Sequence, residues 1–430
     1  MTKERVAVLG AGPMGLAAAY QLTVNGYQPV IFESDDRIGG MTACFDFSGI
    51  KIERFYHFHC VSDGDFLTLI DELGITDQMQ WTETKMGYWF LNKLQPWGNP
   101  IALLRFQGLT LTEKVRYGLM AFVATKRRDW KDLDQIEATS WIKKWVGENV
   151  YEVMWRKLFE YKFHHFTENL SAAWIWSRIR RLGTSRYDLF REKLGYLNGG
   201  SQTLLDALQK FLLDGGAELN LGQAVTRVTT NNAEKCIIET DAGTYTFSRV
   251  ISTIPLPYVP QIFSDLPSKL IEKYKSVNNI AAVCVIIKLG RQVSSNFWVN
   301  INDDEMDIPG LVEYSNLRPL ENSVVYVPFY LPSDHDSYLD DDGVFELKVK
   351  SYLKKINPAL TETDFLDIRT SRYRFAQPIC EPGFLEKLPP IKIPKKNIWI
   401  ADTSYYYPED RGISESIALG RNLAKQATAC

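Results

Sequence analysis

A glycine-rich loop between a predicted strand and a predicted helix constrains this fold more than any other feature of the chain. Residues 5–9 form an apolar run typical of a buried strand, and the loop that follows carries three glycines before a small-residue helix. Gly10 permits a tight turn, Gly12 lets the backbone approach a pyrophosphate, and Gly15 lets the helix pack closely on the strand. The pattern predicts an α/β domain of the Rossmann type whose first helix points its N-terminus at a dinucleotide.

A second strand and an acidic residue follow in register. The strand is predicted over 29–32 and ends at Glu33, which lies roughly 20 residues after the glycine loop, as such a domain requires. A carboxylate at this place can accept hydrogen bonds from ribose hydroxyls. A glycine turn of purely structural use is the alternative. We predict that the cofactor is contacted by Gly10, Gly12, Pro13, Met14, Gly15, Glu33 and Ser34.

The residues after this acid indicate which dinucleotide to expect. Residues 36–41 contain the glycine pair Gly39 and Gly40, where a nicotinamide-binding domain would usually continue into its next helix. This segment resembles the extended FAD fingerprint of the flavin amine oxidase superfamily, which includes monoamine oxidases, protoporphyrinogen oxidases, phytoene desaturases and, more distantly, UDP-galactopyranose mutases. The resemblance implies non-covalent FAD, contacted by Arg37, the two glycines and Met41. Met41 stands where the family usually has arginine.

Two central segments resemble the same family in the right order. Residues 196–204 are similar to its central glycine pair, which leads into an amphipathic helix, and residues 249–255 are similar to the strand that returns to the FAD domain. Between them, Val225 matches a position whose backbone contacts adenine in the family.

The last segment also resembles the family. Residues 398–402 resemble a buried strand that ends in Asp402, and a helix is predicted to begin near Gly412 and Ile413. The resemblance implies that Asp402 binds the ribityl–phosphate region. It also implies that the helix N-terminus faces the flavin pyrimidine edge, where its dipole favours the anionic reduced flavin. An ordinary strand, loop and helix is the alternative.

The order of these segments predicts two interleaved domains. At 430 residues the chain is longer than one typical core supports. We expect an α/β, Rossmann-like FAD-binding domain that is discontinuous, and a second α+β domain that binds the substrate. The FAD-binding domain is assigned to 1–85, 195–255 and 395–430, and the substrate domain to 86–194 and 256–394, with a helical part over 110–194 and a β-rich part over 278–375.

Composition narrows the class of partner. The chain is 45% hydrophobic and 23% charged, and its net charge of −3 gives no reason to propose nucleic acid. Its six cysteines are scattered, without metal-ligating spacing, which favours reduced thiols in a cytoplasmic protein and no bound metal. We expect a small-molecule substrate and leave the oligomeric state open. The charged start, which runs directly into the first predicted strand, predicts that the chain has no signal peptide.

Peripheral membrane contact is an alternative for two stretches, 117–128 and 174–191, in which apolar and aromatic residues adjoin arginines and lysines. In the family that the chain resembles, enzymes acting on porphyrins or carotenoids dock on membranes through such helices. We favour core-facing helices with solvated basic faces.

Two segments carry the candidate catalytic residues. One contains Tyr56 and His57, where the family's chain passes in front of the flavin, and a histidine here could carry a proton or hold a substrate oxygen. As a strand this segment would place His57 and His59 on the same face, whereas histidines bonded to backbone are the alternative. The other segment contains Tyr405 and Arg411, which could contact a carboxylate or phosphate. Packing tyrosines and a surface turn are its alternative.

One departure from the family bears on the reaction. Amine oxidases commonly carry a lysine in a central strand, but the comparable residues 281–287 have none, and Lys288 stands only at their far end. Residues 155–159 with Lys162 and Phe163 resemble a segment of protoporphyrinogen oxidase and desaturase relatives, with simple packing as the alternative. We expect an FAD-dependent oxidoreductase of dehydrogenase, oxidase or desaturase type that moves a hydride from a substrate C–H to flavin N5. A redox-neutral mutase on a nucleotide sugar and a non-enzymatic flavin scaffold are the alternatives.

Overall fold

The structure is a computed structural model that describes residues 3–184, 192–231 and 234–429. The described residues form these strands: β1 (Arg5–Leu9), β2 (Gln28–Phe32), β3 (Cys44–Phe47), β4 (Ile50–Glu53), β5 (Met79–Thr84), β6 (Met86–Phe90), β7 (Lys93–Trp97), β8 (Glu192–Leu197), β9 (Glu218–Asn220), β10 (Val225–Thr230), β11 (Cys236–Thr240), β12 (Gly243–Phe247), β13 (Val250–Ser252), β14 (Asn279–Leu289), β15 (Trp298–Asn302), β16 (Gly310–Glu313), β17 (Ser323–Pro332), β18 (Phe365–Pro378) and β19 (Ile398–Ile400). Their helices are α1 (Pro13–Val24), α2 (Gly64–Glu72), α3 (Pro100–Arg105), α4 (Leu111–Lys126), α5 (Ala138–Val146), α6 (Glu148–Tyr151), α7 (Lys157–Phe163), α8 (Ala172–Thr184), α9 (Ser201–Asp214), α10 (Val259–Ile262), α11 (Ser268–Lys275), α12 (Asp342–Ile356), α13 (Phe384–Lys387) and α14 (Ile413–Thr428).

A five-stranded parallel sheet forms the first layer, in the order β19-β13-β1-β2-β9. From β1 the chain passes to β2 on one side and later to β13 on the other, so the strand order reverses at the carboxyl end of β1. Ligands of open α/β sheets bind at such a reversal. All five strands come from the three segments assigned to the FAD-binding domain, and the domain boundaries themselves stay predictions.

The helices α1 and α14 cross closely on one face of this sheet. A Cβ added at Gly420 would lie 2.1 Å from the carbonyl oxygen of Met14, so only glycine permits this approach. The contact joins the first helix of the chain to the last one described.

A seven-stranded sheet forms the second layer, in the order β18-β14-β17-β16-β15-β6-β7. Its second strand, β14, is paired on both sides and is buried along almost all of its length, which explains the continuous apolar run seen in the sequence. The parallel pairing of β15 with β6 brings the hairpin of residues 86–97 into this sheet. The α/β fold class with a second α+β region is thus confirmed.

A single hydrophobic core connects the two layers with the helices of residues 111–184. Phe32 of the parallel sheet, Trp174 of α8 and Tyr326 of β17 all belong to it. The two regions therefore share buried surface rather than meeting across a solvated linker.

Helix α4 departs from the expectation of a core-facing helix with a basic outer face. Met120 and Ala124 are buried on its inner side, as expected. Four large apolar side chains on its other side are exposed, and we call them the α4 face: Leu111, Val115, Leu119 and Phe122. Spacings of three and four residues place them on one side of the helix, and the helix packs only through the opposite side.

Residues 185–191 of the second stretch considered for membrane contact lie outside the described residues. Within the described ranges, none of the helices combines the length and the apolarity that crossing a bilayer requires.

Candidate active site

The glycine loop after β1 is built as its sequence predicts. A Cβ added at Gly15 would lie 1.9 Å from the carbonyl oxygen of Gly10, so the turn requires glycine there. Gly12, by contrast, faces open space, since a Cβ added to it would meet no atom within 4 Å. Pro13 and Met14 then begin α1, where the missing N–H of proline costs no helical hydrogen bond.

The second glycine pair lies against this loop. Gly39, with φ of +114°, donates its N–H to the carbonyl oxygen of Ala11 at 2.8 Å. The Cβ position of Gly40 is 3.3 Å from Cα of Gly12, and Met41 turns its side chain to the core. We name the space bordered by Gly12, Gly40 and the N-terminus of α1 the glycine crevice.

Glu33 is held at the rim of the glycine crevice. Its carboxylate accepts hydrogen bonds from the N–H groups of Ala11 (2.7 Å) and Asp35 (2.9 Å), and from Ser34 Oγ (3.1 Å). A carboxylate offers about four lone-pair sites, so it can still accept from ribose hydroxyls. Arg37 is paired with Asp36 at 2.7 Å.

Val225 is the first residue of β10 and is half-buried. Its contact with adenine, and those of Arg37 and Met41 with FAD, stay predictions.

Asp402 ties together two loops at the carboxyl edge of the parallel sheet. It is buried, and its two oxygens accept the N–H groups of Leu256 and Ser404, each at 2.8 Å. Burial raises its pKa, while these bonds oppose the rise. In this structure the carboxylate positions the loops after β13 and β19, and the contact with the ribityl–phosphate region stays a prediction.

The N-terminus of α14 is close-packed as well. Gly412 caps the helix, and a Cβ added to it would lie 2.0 Å from Glu415 Oε2. Ile413 is buried in the core of the parallel sheet region. Burial raises the pKa of Glu415 to about 7, against the opposing charge of Arg181.

Tyr56 and His57 lie in an irregular segment. The ring of Tyr56 contacts those of Trp298 and Tyr326 edge to face, with centroids 5.6 and 5.9 Å apart. His57 Nδ1 is buried without a hydrogen-bond partner. Burial and, to a smaller extent, the charge of Arg411 together lower the pKa of His57 to about 4, so its imidazole is neutral at neutral pH.

His59 has a structural role. Residues 54–58 form no strand, so the shared face considered for the two histidines does not exist, because the chain turns here between β4 and α2. The ring of His59 stacks on Phe66 at 3.6 Å, and its backbone exchanges two hydrogen bonds with Gly195. Burial lowers its pKa to about 3.

The three tyrosines before α14 are bonded within the protein. The hydroxyl of Tyr405 donates to the carbonyl oxygen of Pro389 at 2.9 Å. Tyr406 is bonded to Ser416 at 2.8 Å, and Tyr407 donates to Asp134 at 2.5 Å. This arrangement supports a packing role for Tyr405 instead of the catalytic role predicted for it, since its hydroxyl proton is engaged.

Arg411 follows a half-buried carboxylate rather than forming a surface turn. Asp410 accepts from Arg178 at 2.8 Å and from the backbone N–H of Arg411 at 2.9 Å. Burial alone would raise the pKa of Asp410, but the charges of Arg178, Lys162 and Arg411 outweigh it and hold the pKa at about 2. The guanidinium of Arg411 donates to the carbonyl oxygen of Ala376.

Lys162 of α7 reaches the same place. Its Nζ lies 5.2 Å from the ring centroid of Tyr330 and 5.9 Å from that of Phe163. Burial and the nearby charges of Arg178 and Arg411 lower its pKa well below the ordinary value.

These side chains lie close together deep in the fold. Tyr330 is buried, whereas Tyr56, His57, Lys162 and Arg411 keep part of their surface accessible. We call the group the cation pocket: Tyr56, His57, Lys162, Tyr330 and Arg411. Sequence reasoning proposed three of the five as site residues. Lys162 was noted only within a segment that resembles protoporphyrinogen oxidase and desaturase relatives, and Tyr330 is hidden in an apolar strand.

Lys288 lies outside this pocket. It stands at the end of β14, and its Nζ donates to the carbonyl oxygen of Ser48 at 3.0 Å. Cys284, in the middle of β14, is buried near Arg411 instead. Among the described residues, no group of three or more His, Cys, Asp and Glu side chains could hold a metal ion.

Comparison with known proteins identifies the family to which the chain belongs. The family model described as flavin containing amine oxidoreductase matches residues 15–401. The chain is 24% identical over 300 residues to a mitochondrial protoporphyrinogen oxidase of Nicotiana tabacum, a match that covers 59% of this chain and 58% of that protein. The chain thus spans little more than half the length of such curated relatives.

Solved structures share the fold over the whole chain. A putative protoporphyrinogen oxidase from Exiguobacterium sp. 255-15 superimposes with a TM-score of 0.79 at 16% identity, covering 99% of both chains. Reduced UDP-galactopyranose mutase superimposes with a TM-score of 0.77 at 16% identity, covering 99% of this chain and 96% of that one.

Proposed function

Because the chain belongs to the family of flavin-containing amine oxidoreductases, we propose that it binds FAD without a covalent bond and oxidises a small molecule by removing a hydride from a C–H bond. The observation that carries this proposal is the adjacency of two sites. Arg411 of the cation pocket directly precedes Gly412, which caps α14, and α14 packs on the helix of the glycine crevice.

The glycine crevice fits the dinucleotide part of FAD. The open side of Gly12 leaves room for a diphosphate beside the N-terminus of α1, whose N–H groups and partial positive charge stabilise anions. Glu33 is placed to accept ribose hydroxyls. The N-terminus of α14 would similarly stabilise negative charge at the flavin edge. Bound FAD supplies the hydride acceptor, N5 of its isoalloxazine.

The cation pocket would bind and orient the substrate. Burial raises the pKa of Tyr56 and of Tyr330, so both hydroxyls stay protonated and can donate hydrogen bonds. His57 is neutral at neutral pH, and its unpartnered Nδ1 can form a hydrogen bond with a substrate group. Holding the reacting groups in place is the chief contribution that such side chains make.

An anaerobic titration tests this function. We expect purified protein to be yellow, and a true substrate to bleach the oxidised flavin in the absence of NAD(P)H. Absence of bound or rebindable flavin would overturn the proposal.

A redox-neutral mutase on a nucleotide sugar is the second candidate, and the same titration separates it. A mutase needs flavin reduced beforehand and leaves it reduced through turnover, whereas the oxidoreductase proposed here starts from oxidised flavin, which the substrate reduces. The bonded hydroxyls of Tyr405, Tyr406 and Tyr407 leave this tyrosine loop without free donors for a sugar phosphate, which favours the oxidoreductase. A flavin that responds to no candidate substrate under either regime would favour a non-enzymatic scaffold.

We also propose that the α4 face contacts a lipid surface from the cytoplasmic side. Its four exposed apolar side chains adjoin the exposed Lys126 and Arg128, a combination suited to an anionic bilayer surface. Leu119→Asp should abolish cosedimentation with phosphatidylserine vesicles without lowering flavin content, while Leu347→Asp, at another exposed leucine, should leave it unchanged. Equal cosedimentation of the two variants would contradict the contact.

A further inference from the structure

The cation pocket holds more positive than negative charge. Arg178, Lys162 and Arg411 all act on one half-buried carboxylate, that of Asp410. This carboxylate is already bonded to the side chain of Arg178 and to the backbone of Arg411. These three cationic side chains therefore share the negative charge of one carboxylate.

Donors are left over around this acid. In the ranges that the structure describes, the ammonium of Lys162 contacts only the rings of Tyr330 and Phe163 and forms no hydrogen bond or ion pair. Nε of Arg178 is buried without an acceptor. Buried polar groups are nearly always hydrogen-bonded, so unpaired donors grouped around one partly accessible site indicate where the acceptor of a ligand would lie.

We propose that the substrate carries an oxyanion, a carboxylate or a phosphate, that docks between Lys162 and Arg411 beside the ring of Tyr330. This inference rests on the proposed function and names its substrate class. Arg411 binds a backbone carbonyl through one nitrogen, which leaves its remaining donors for an oxyanion. The apolar part of the substrate would lie against Tyr56.

The same charges disfavour a cationic amine. When Lys162 is protonated, the three cations Arg178, Lys162 and Arg411 face the single negative charge of Asp410, which leaves two positive charges in excess. Burial strengthens the repulsion between these charges and a further cation. The absence of a lysine from residues 281–287 of β14 agrees with a site that differs from that of an amine oxidase.

Docking should be coupled to proton uptake. In the free protein, burial and the charges of Arg178 and Arg411 disfavour the charged form of Lys162, and Asp410 only partly opposes them. A bound oxyanion adds a negative charge and raises the pKa of Lys162 in the complex. Affinity is therefore highest below the free-state pKa and falls as pH rises from there to the pKa of the complex.

Calorimetric titration of the FAD-loaded protein tests the site with simple probes. Benzoate and phenyl phosphate carry the two oxyanions on one aromatic ring, benzamide is the neutral control, and benzylamine is the cationic control. We expect at least one oxyanion to bind about tenfold more tightly than benzamide, and benzylamine more weakly than either. Comparing benzoate with phenyl phosphate shows which oxyanion the pocket takes.

Two variants on the same helix provide a matched comparison. Lys162→Met keeps the length of the side chain and should remove the preference for oxyanions, whereas Lys162→Arg should retain it. Lys157→Met removes a lysine that is paired with Asp304 at 2.5 Å outside the pocket, and it should leave the preference intact.

Proton uptake tests the site without any substitution. Titrations in buffers of different ionisation enthalpy should show uptake on benzoate binding in the unsubstituted protein and none in Lys162→Met. Equal affinity for oxyanions and benzamide in flavin-loaded protein would overturn the oxyanion site alone. Protein without flavin absorbance would overturn the proposed function first, so the two failures are distinguishable.

Discussion

The glycine crevice and the cation pocket lie side by side but are stabilised in opposite ways. In the crevice, backbone atoms pack directly against backbone atoms. Glu33 at its rim and Asp402 at the edge of the same sheet accept hydrogen bonds from N–H groups of the protein. In the pocket, charged side chains are buried with fewer partners than they can bind, as Lys162 shows. The difference teaches that the groups of the crevice are paired before any ligand arrives, whereas the pocket keeps donors that a ligand would have to satisfy.

The largest expected effect is that of Gly15→Ala in the crevice. The added Cβ would lie 1.9 Å from a backbone oxygen, which cannot move without breaking the turn. We expect a loss of about 3 kcal/mol or more in the free energy of unfolding, measured in urea, together with loss of bound flavin. Gly64→Ala, where a Cβ meets nothing within 4 Å, is the control and should be neutral. A stable, yellow Gly15→Ala protein would contradict the tight crevice.

Asp410→Asn should have the next largest effect, in the pocket. It removes the carboxylate that compensates Arg178, Lys162 and Arg411, and we expect a loss of about 2 kcal/mol in unfolding free energy. Because the folded-state pKa of about 2 lies below the ordinary 3.8, this stability is present above about pH 4 and is lost as pH falls through about 2. Acid unfolding curves of the two proteins should therefore converge at low pH, and parallel curves would contradict this role.

Gly12→Ala separates binding from folding in the crevice. Its Cβ would enter open space, so we expect the melting temperature to stay within the range of a neutral substitution. The methyl group would occupy the place proposed for the diphosphate, and FAD affinity should fall on the order of tenfold, about 1.4 kcal/mol. Fluorescence of released flavin measures this affinity. An unchanged value would place the diphosphate elsewhere.

Tyr405→Phe should have the smallest effect. It removes one hydrogen bond to Pro389, so we expect a loss of about 1 kcal/mol in unfolding free energy and no change in benzoate affinity. Tyr330→Phe, in the pocket, removes the hydrogen bond between the hydroxyls of Tyr330 and Tyr56, and it should lower benzoate affinity. The opposite pattern would return Tyr405 to the catalytic role predicted from sequence.

The crevice could be predicted from sequence because its determinants are local. Gly10, Gly12, Gly15 and the acid Glu33 stand within one strand–helix–strand unit, so spacing alone places them together. The same locality made β14, β17 and β18 recognisable as apolar or alternating runs.

The cation pocket could not be predicted to the same extent because it is assembled by tertiary packing. Lys162 comes from a helix, Tyr330 from a strand and Arg411 from the loop before α14, and no sequence period links them. Side-chain directions depend on packing too: the hydroxyl of Tyr405 is bonded to Pro389, and the strand face predicted for His59 does not form. The catalytic role of Tyr405 stays a prediction. The sequence did not predict which apolar side of α4 is exposed, because apolar residues recur at helical spacing on both sides of this helix.

The close crossing of α1 and α14 at Gly420 has a consequence for biosynthesis. One face of α1 gains its packing partner only when α14, some four hundred residues later, has been made. That face therefore stays uncovered during translation, and we expect stable flavin loading only after α14 has been synthesised.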